Sequence, residues 1–246
     1  SAYAAKSNDG HMQPHTISRR EPGDNDVQID IEFCGVCHSD LHAVKNDWGN
    51  SKYPLVPGHE IIGSVSAVGK NVKGFSVGDS VGVGCLVDSC QSCEACDIDL
   101  EQHCLNGATM TYNSKTDDPG GMTYGGYSKR IVVQQDFVLR IPKNLDKAGA
   151  APLLCAGITT YSPLHQYGVK EGMTVGIIGL GGLGHMGIKL ASAMGAKTIM
   201  ITTSEDKAKD AKRLGADEVL ISTNKDDMKK WRGKFDFLLN TIPVGH

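Results

Sequence analysis

The tightest constraint on this chain is a glycine run, Gly179-Leu-Gly181-Gly182-Leu183-Gly184, set between two segments of different period. Residues 174–179 form a short β-branched run that reads as a buried strand. In residues 182–194, Leu183, Met186, Leu190, Ala191 and Met194 fall on one face of a helix. A bare G-x-G-x-x-G says little, and its plain reading is a glycine turn with no ligand. Between a strand and a helix, however, the glycines permit a tight turn. They also let the backbone approach a pyrophosphate at the helix N-terminus. Strands at 198–202, 218–221 and 235–240 alternate with a helix at 205–214 and a short polar helix before the last strand. That alternation implies a parallel, doubly wound sheet.

The first half of the chain has another character. Residues 1–25 are polar and show no readable element, and no opening strand is expected there. Val27, Ile29, Ile31 and Phe33 then alternate with Gln28, Asp30 and Glu32, the pattern of a half-buried strand. Further strand-like runs lie at 61–68, 80–83, 131–133 and 137–141, with Gly69, Gly74 and Gly78 as turns. Many short strands with glycine turns suggest a small barrel or sandwich. Residues 53–60, with two prolines and a glycine, read as a fixed loop. An alanine-rich stretch from Asp146 to Cys155 reads as a helix broken near Pro152. Two domains follow, 1–145 and 146–246, with no internal repeat or low-complexity segment.

The net charge of -3 gives no reason to expect nucleic acid or an anionic membrane as partner. No apolar run has the length of a membrane span, and the N-terminus lacks the apolar core of a signal peptide. A reducing cytoplasm is therefore expected, where eight cysteines suggest metal ligands more than disulfides.

Four of them, Cys90-x2-Cys93-x2-Cys96-x7-Cys104, have a spacing that wraps one tetrahedral metal within a lobe of about residues 85–106. Zinc suits four thiolates, and a closed set of protein ligands makes a structural site. An iron–sulfur cluster and unligated buried cysteines are the alternatives. Cys34 and Cys85 are left over and read as buried apolar residues. A second concentration is Cys34-Gly-Val-Cys37-His38-Ser39-Asp40-Leu41-His42, which begins at a strand end, where scaffold presents side chains to a cleft. Spacing alone does not say which distant residues complete it. Cys155, in an alanine-rich helix, reads by itself as core, and Glu60 as an exposed loop carboxylate.

Taken in order, these motifs resemble the zinc-dependent medium-chain alcohol dehydrogenases. The resemblance runs through Cys34–His42, Pro57-Gly-His59-Glu60, the four-cysteine lobe, Leu154-Cys155-Ala-Gly-Ile-Thr159 and Gly179–Gly184. Cys37-His-Ser-Asp-Leu-His42 and Gly184-His-Met-Gly-Ile-Lys189 are most similar to the cinnamyl alcohol dehydrogenase branch. The resemblance implies a GroES-like β-barrel catalytic domain followed by a Rossmann nucleotide-binding domain. It implies Cys37, His59 and Cys155 as ligands of a catalytic zinc, with Glu60 as a near or alternate ligand. That makes two zinc ions per chain. Ser39 matches the hydroxyl that exchanges a proton with substrate, and His42 the group that passes it to solvent. Asp40 and Thr159 match positions around the metal and the nicotinamide. Trp48 is read as lining the substrate pocket or as a packed loop aromatic.

The implied activity is interconversion of primary alcohols and aldehydes, aromatic or cinnamyl-type ones included, by a homodimer. A polyol dehydrogenase is the nearest rival. A zinc-stabilised nucleotide-binding protein without turnover is another, although it would need no proton relay. The cofactor expected is NADP(H). In the NAD-binding version an acid about twenty residues past the glycines holds the ribose hydroxyls. Here Thr203-Ser204 stands in that place, with Lys207 nearby to meet a 2′-phosphate. Glu205 is the competing acid, or simply a first-turn helix residue. Because the sequence ends just past the fourth strand of a fold that normally has a second half, an incomplete nucleotide domain is also expected.

Overall fold

The computed structural model describes residues 1–242; the last four residues of the expected nucleotide domain, 243–246, lie outside the described residues. The chain forms two compact units, Ser1–Cys155 and one from Ala156 onward.

The first unit opens with a hairpin that the sequence did not suggest. β1 (Ala2–Ala5) pairs antiparallel with β2 (Met12–His15). The expectation of an unreadable start without an opening strand is therefore corrected. The inward side chains of β1 are alanines, Ala2, Ala4 and Ala5, which bury fully while contributing little hydropathy. β3 (Asp26–Cys34), β4 (Ile61–Val68) and β5 (Ser80–Val83) follow. With β8 (Arg130–Gln134) and β9 (Leu139–Arg140) they make an antiparallel sheet in the order β8-β3-β4-β5-β9. Its core is the period-two set Val27, Ile29, Ile61, Val65, Val81, Val83, Ile131 and Val133. The strand expected over 137–141 is shorter, because a 3-10 turn, Gln135–Phe137, occupies its start. A ribbon of β6 (Leu86–Asp88) and β7 (Thr109–Met110) brackets the cysteine lobe.

Two helices complete this unit. α1 (His38–Lys45) starts four residues after β3 ends. α2 (Lys147–Ala150) is capped by the Asp146 carboxylate, which accepts from Gly149 N at 2.7 Å. The expected helix to Cys155 divides here: Pro152 sits at the start of a 3-10 turn, Ala151–Leu154, where its missing N–H costs least.

The second unit begins with α3 (Ala156–Gln166), which was not anticipated. Its Ile-Thr-Thr run and internal Pro163 both weaken a helical reading, and Thr160 Oγ1 bonds back to the Ala156 carbonyl at 2.7 Å. Then come β10 (Thr174–Ile178), α4 (Gly182–Ala193), β11 (Lys197–Thr202), α5 (Ala208–Arg213), β12 (Glu218–Ile221), α6 (Lys225–Trp231) and β13 (Phe237–Asn240). The helix expected over 205–214 is a 3-10 turn, Glu205–Lys207, followed by α5. The sheet is wholly parallel, in the order β12-β11-β10-β13. The order reverses between β10 and β13, and the crevice beyond the carboxyl ends of such strands is where this architecture binds ligands. α4 buries Gly184, Gly187, Ile188 and Ala191, while Leu183 and Met186 of the expected face are only half-buried. Small residues face the sheet because the helix packs close upon it. Among the described residues no helix is long and apolar enough to cross a membrane.

Candidate metal and nucleotide sites

Within the first unit, β3 hands the chain to α1, and Cys37 is the N-cap of that helix. Ser39 N points at Cys37 Sγ at 3.5 Å, while Asp40 reaches back to Cys37 N at 3.0 Å, closing a capping box. His59 arrives from the proline-rich loop and Cys155 from the end of the 3-10 turn. Their ligand atoms and that of Cys37 all lie within 4.8 Å of one another, and Cys37 Sγ is 3.8 Å from Cys155 Sγ. Two sulfurs bound to one tetrahedral zinc stand about 3.8 Å apart, so the donors fit that ion in number, softness and spacing. His59 Nδ1 is tied to Asp40 Oδ1 at 3.0 Å, which leaves Nε2 as the donor toward the thiols.

The electrostatics of the three groups are those of a site built for a cation. Hydrogen bonds from Cys155 and then His59 hold the Cys37 thiol down to about 3. The same sharing pushes Cys155 upward. Burial alone would lower His59, but Asp40 and Cys37 outweigh it and raise the imidazole to about 10. Cys85, half-buried and outside the donor set, borders the cluster, and a hydrogen bond from Cys155 is the main cause of its fall to about 7. Cys34 is half-buried and pushed up to about 12, chiefly by burial.

Glu60 is 3% exposed, not a loop carboxylate in solvent. Its side chain lies over Gly35, whose N–H donates to the Glu60 carbonyl at 2.9 Å. Asp40 is equally buried and accepts from Cys37 N, Gly58 N, His59 Nδ1 and the Tyr127 hydroxyl. Tyr127 escaped the sequence reading. The Gly125-Gly126 pair before it signals a close backbone approach, but not what is approached. Ser39 is half-buried and His42 follows it by three residues, on the same side of α1. His42 Nδ1 meets Asp47 Oδ2 at 2.7 Å, and the Trp48 ring lies 5.5 Å from the His42 ring. Trp48 is 56% exposed.

The four lobe cysteines bring all their sulfurs within 4.8 Å of one another. Backbone N–H groups of Cys90 and Leu105 point at Cys104 and Cys93 sulfurs at 3.5 and 3.4 Å. That is a closed thiolate cage.

In the second unit the glycine loop turns from β10 into α4. Gly179 has φ +93, and a Cβ on Gly184 would stand 1.9 Å from the Gly179 carbonyl oxygen. Gly181 and Gly182 face open space. Thr203 and Lys207 are exposed and Ser204 half-exposed just beyond β11, with Glu205 opening the next turn. Thr159 is exposed on α3.

A soft three-donor metal cluster on a β-rich unit, and a glycine loop at the switch point of a parallel unit, together define a metal- and nucleotide-dependent dehydrogenase. The chain belongs to the zinc-dependent medium-chain alcohol dehydrogenases, in their cinnamyl alcohol dehydrogenase-like branch. Residues 23–143 match the family described as alcohol dehydrogenase GroES-like domain, and 182–246 that described as zinc-binding dehydrogenase. The aldehyde reductase YahK of Escherichia coli (strain K12) is 55% identical over 246 residues, covering 100% of this chain and 69% of that protein. A cinnamyl alcohol dehydrogenase of Sorghum bicolor superimposes with a TM-score of 0.95 at 46% identity, over 100% of this chain and 70% of the other. The Helicobacter pylori cinnamyl alcohol dehydrogenase, solved with NADP(H), gives 0.92 at 42% identity, over 100% and 69%. The chain is thus an alcohol/aldehyde oxidoreductase with GroES-like and Rossmann-type parts.

Proposed function

We propose that this oxidoreductase works mainly as an NADPH-linked reductase of aromatic or cinnamyl-type aldehydes, with Cys37, His59 and Cys155 holding its catalytic zinc. The observation that carries the reading is the convergence of those three donors beside a helix turn that presents Ser39 and His42. When bound, zinc polarises a carbonyl or acidifies an alcohol, and the nicotinamide gives or takes the hydride. The residues supply the rest. Asp40 holds the His59 Nδ1 proton and so fixes which nitrogen faces the thiols. Ser39 Oγ exchanges the proton of the substrate oxygen, and His42 passes it outward, oriented by Asp47 at Nδ1. Trp48, beside His42, offers an aromatic wall to a substrate ring.

The cofactor preference rests on Thr203 and Ser204, which carry no charge to repel a 2′-phosphate, and on Lys207 to attract it. The NADP(H) complex of the Helicobacter relative supports the same choice. The reading includes a second, structural zinc on Cys90, Cys93, Cys96 and Cys104, a homodimer, and a reducing cytoplasm suited to eight free thiols. The test is a panel of aromatic aldehydes, aliphatic aldehydes and polyols assayed with NADPH and NADH. Higher kcat/KM for cinnamyl-type aldehydes with NADPH is expected. Preference for a polyol, or for NADH, overturns the corresponding part. No turnover by zinc-replete protein favours a binding role.

A further inference from the structure

We infer that Tyr127 is a positioning residue for the metal-facing histidine: its hydroxyl locks Asp40, and Asp40 locks His59. The inference rests on the catalytic-metal reading above. The Asp40 carboxylate has four acceptor directions, and four donors fill them. Cys37 N reaches Oδ2 at 3.0 Å and Gly58 N reaches Oδ1 at 2.9 Å. His59 Nδ1 shares Oδ1 at 3.0 Å, and Tyr127 Oη donates to Oδ2 at 3.1 Å. The first three come from a ligand, its neighbour and the histidine itself. Tyr127 is brought in from another part of the chain, as is Tyr112, which also bears on Asp40 and whose ring lies 5.8 Å from the His59 ring. Of the two, Tyr127 makes the well-formed hydrogen bond that holds the carboxylate against movement of the other three donors.

The loop carrying Tyr127 is built to be stiff. Its backbone pairs with the loop that carries His59: Gly125 N to Val56 O at 2.7 Å, Gly126 N to Gly58 O at 2.8 Å, Tyr127 N to Pro57 O at 3.0 Å. A Cβ on Gly125 would stand 2.4 Å from the Gly58 carbonyl oxygen, so only glycine allows this approach. The half-buried Arg19 guanidinium straps the loop on both sides of Tyr127. It donates to the Tyr124, Gly125 and Arg130 carbonyls at 2.6, 3.0 and 3.0 Å, and to Ser128 Oγ at 2.9 Å. Losing the phenolic hydroxyl frees one side of Asp40 to rotate and loosens the imidazole before any metal arrives.

Outer partners of metal-bound histidines are worth about 10–100-fold in metal affinity, and Tyr127 stands one bond further out, so about three- to tenfold is expected. The experiment is chelator competition on the zinc-loaded protein, resolving the triad ion from the lobe ion by cobalt(II) substitution. Wild type, Tyr127→Phe, Asp40→Asn and the double variant are compared. Tyr53→Phe is the control, since that hydroxyl donates to the Val44 carbonyl at 2.7 Å and bonds Ser51, neither of them a metal-site residue. We expect Tyr127→Phe to weaken the triad metal alone, and to add nothing once Asp40 is replaced. An unmoved triad affinity overturns the inference, as does an equal loss at both ions or an equal loss in the Asp40→Asn background. If Asp40→Asn does not fold, Tyr127→Phe against Tyr53→Phe decides. A wild type that binds no metal at the triad overturns the metal reading and this inference with it, whereas two bound metals with Tyr127→Phe unchanged overturn this inference alone.

Discussion

The four glycines at 179, 181, 182 and 184 do not share one task, and alanine substitution separates them. Some versions of this motif carry alanine at the third fingerprint position. Here a Cβ on Gly184 would lie 1.9 Å from the Gly179 carbonyl oxygen. Ordinary C···O contact begins at about 3.3 Å, so α4 and the turn must part by roughly an ångström or more. The obstacle is backbone, which cannot swing aside as a side chain would. Overpacking costs about 1–3 kcal/mol, and the upper end applies to a rigid obstacle. About 3 kcal/mol should lower Tm by roughly 6–12 °C. At Gly181 a Cβ meets nothing within 4 Å. Its cost in stability is under about 1 kcal/mol, that of a poorer helix N-cap. The added methyl instead stands where a pyrophosphate must approach the α4 amides. NADPH affinity should fall at least about tenfold, or about 1.4 kcal/mol. Thermal melts without cofactor and fluorescence titration with NADPH measure the two effects separately. Gly184→Ala melting with the wild type would refute the steric argument. Gly181→Ala binding NADPH normally would refute the ligand argument.

Four further outcomes are expected. Cys93→Ser should lower stability with modest change in turnover per folded molecule, whereas His59→Ala should abolish turnover in a folded protein; melts and assays on zinc-quantified samples distinguish them. Ser39→Ala should lower kcat about a hundredfold or more, checked by single-turnover kinetics with chemistry limiting. Thr203→Asp should shift the kcat/KM ratio toward NADH by charge repulsion of the 2′-phosphate, read from both cofactors in one assay. Cys37→Ser should keep or improve the N-cap of α1, since serine is a favoured cap, yet lose the triad zinc; circular dichroism and elemental analysis together test this.

What could be read from the sequence was what lies close along it. The four lobe cysteines fall within fifteen positions, and the glycine loop is flanked by its own strand and helix, so spacing and context were enough. Cys155 lies 118 residues from Cys37, and no periodicity links them; only the family resemblance placed it. Tyr127 was missed for the same reason, since its partner Asp40 is 87 residues away. Local signals also failed where tertiary packing overrode them. The buried side chains of β1 are all alanines, whose strand propensity is poor, and its one large side chain, Tyr3, faces out. α3 forms despite β-branched residues and a proline, because Leu164 and its neighbours are needed against the core of the parallel sheet.

The turn at Cys37 shows why stability and chemistry are joined at some positions and separate at others. The hydrogen bonds that start α1 are the same ones that organise the candidate ligand: Cys37 is the cap, and Asp40 closes the capping box while holding His59. A thiolate there also sits at the positive end of the helix dipole, which favours the ligating form. Any change at Asp40 therefore removes a cap and disorders a metal site together, so activity loss at that position cannot by itself assign a role. Ser39 and His42 are different. Neither side chain closes the capping box, although the Ser39 hydroxyl reaches the Cys37 thiol, and both lie on a helix that Ala43 and Val44 anchor by burial. A loss of turnover at Ser39 or His42 with both stability and zinc content unchanged is then a statement about proton transfer, the zinc content being needed because the Ser39 hydroxyl also reaches the Cys37 thiol.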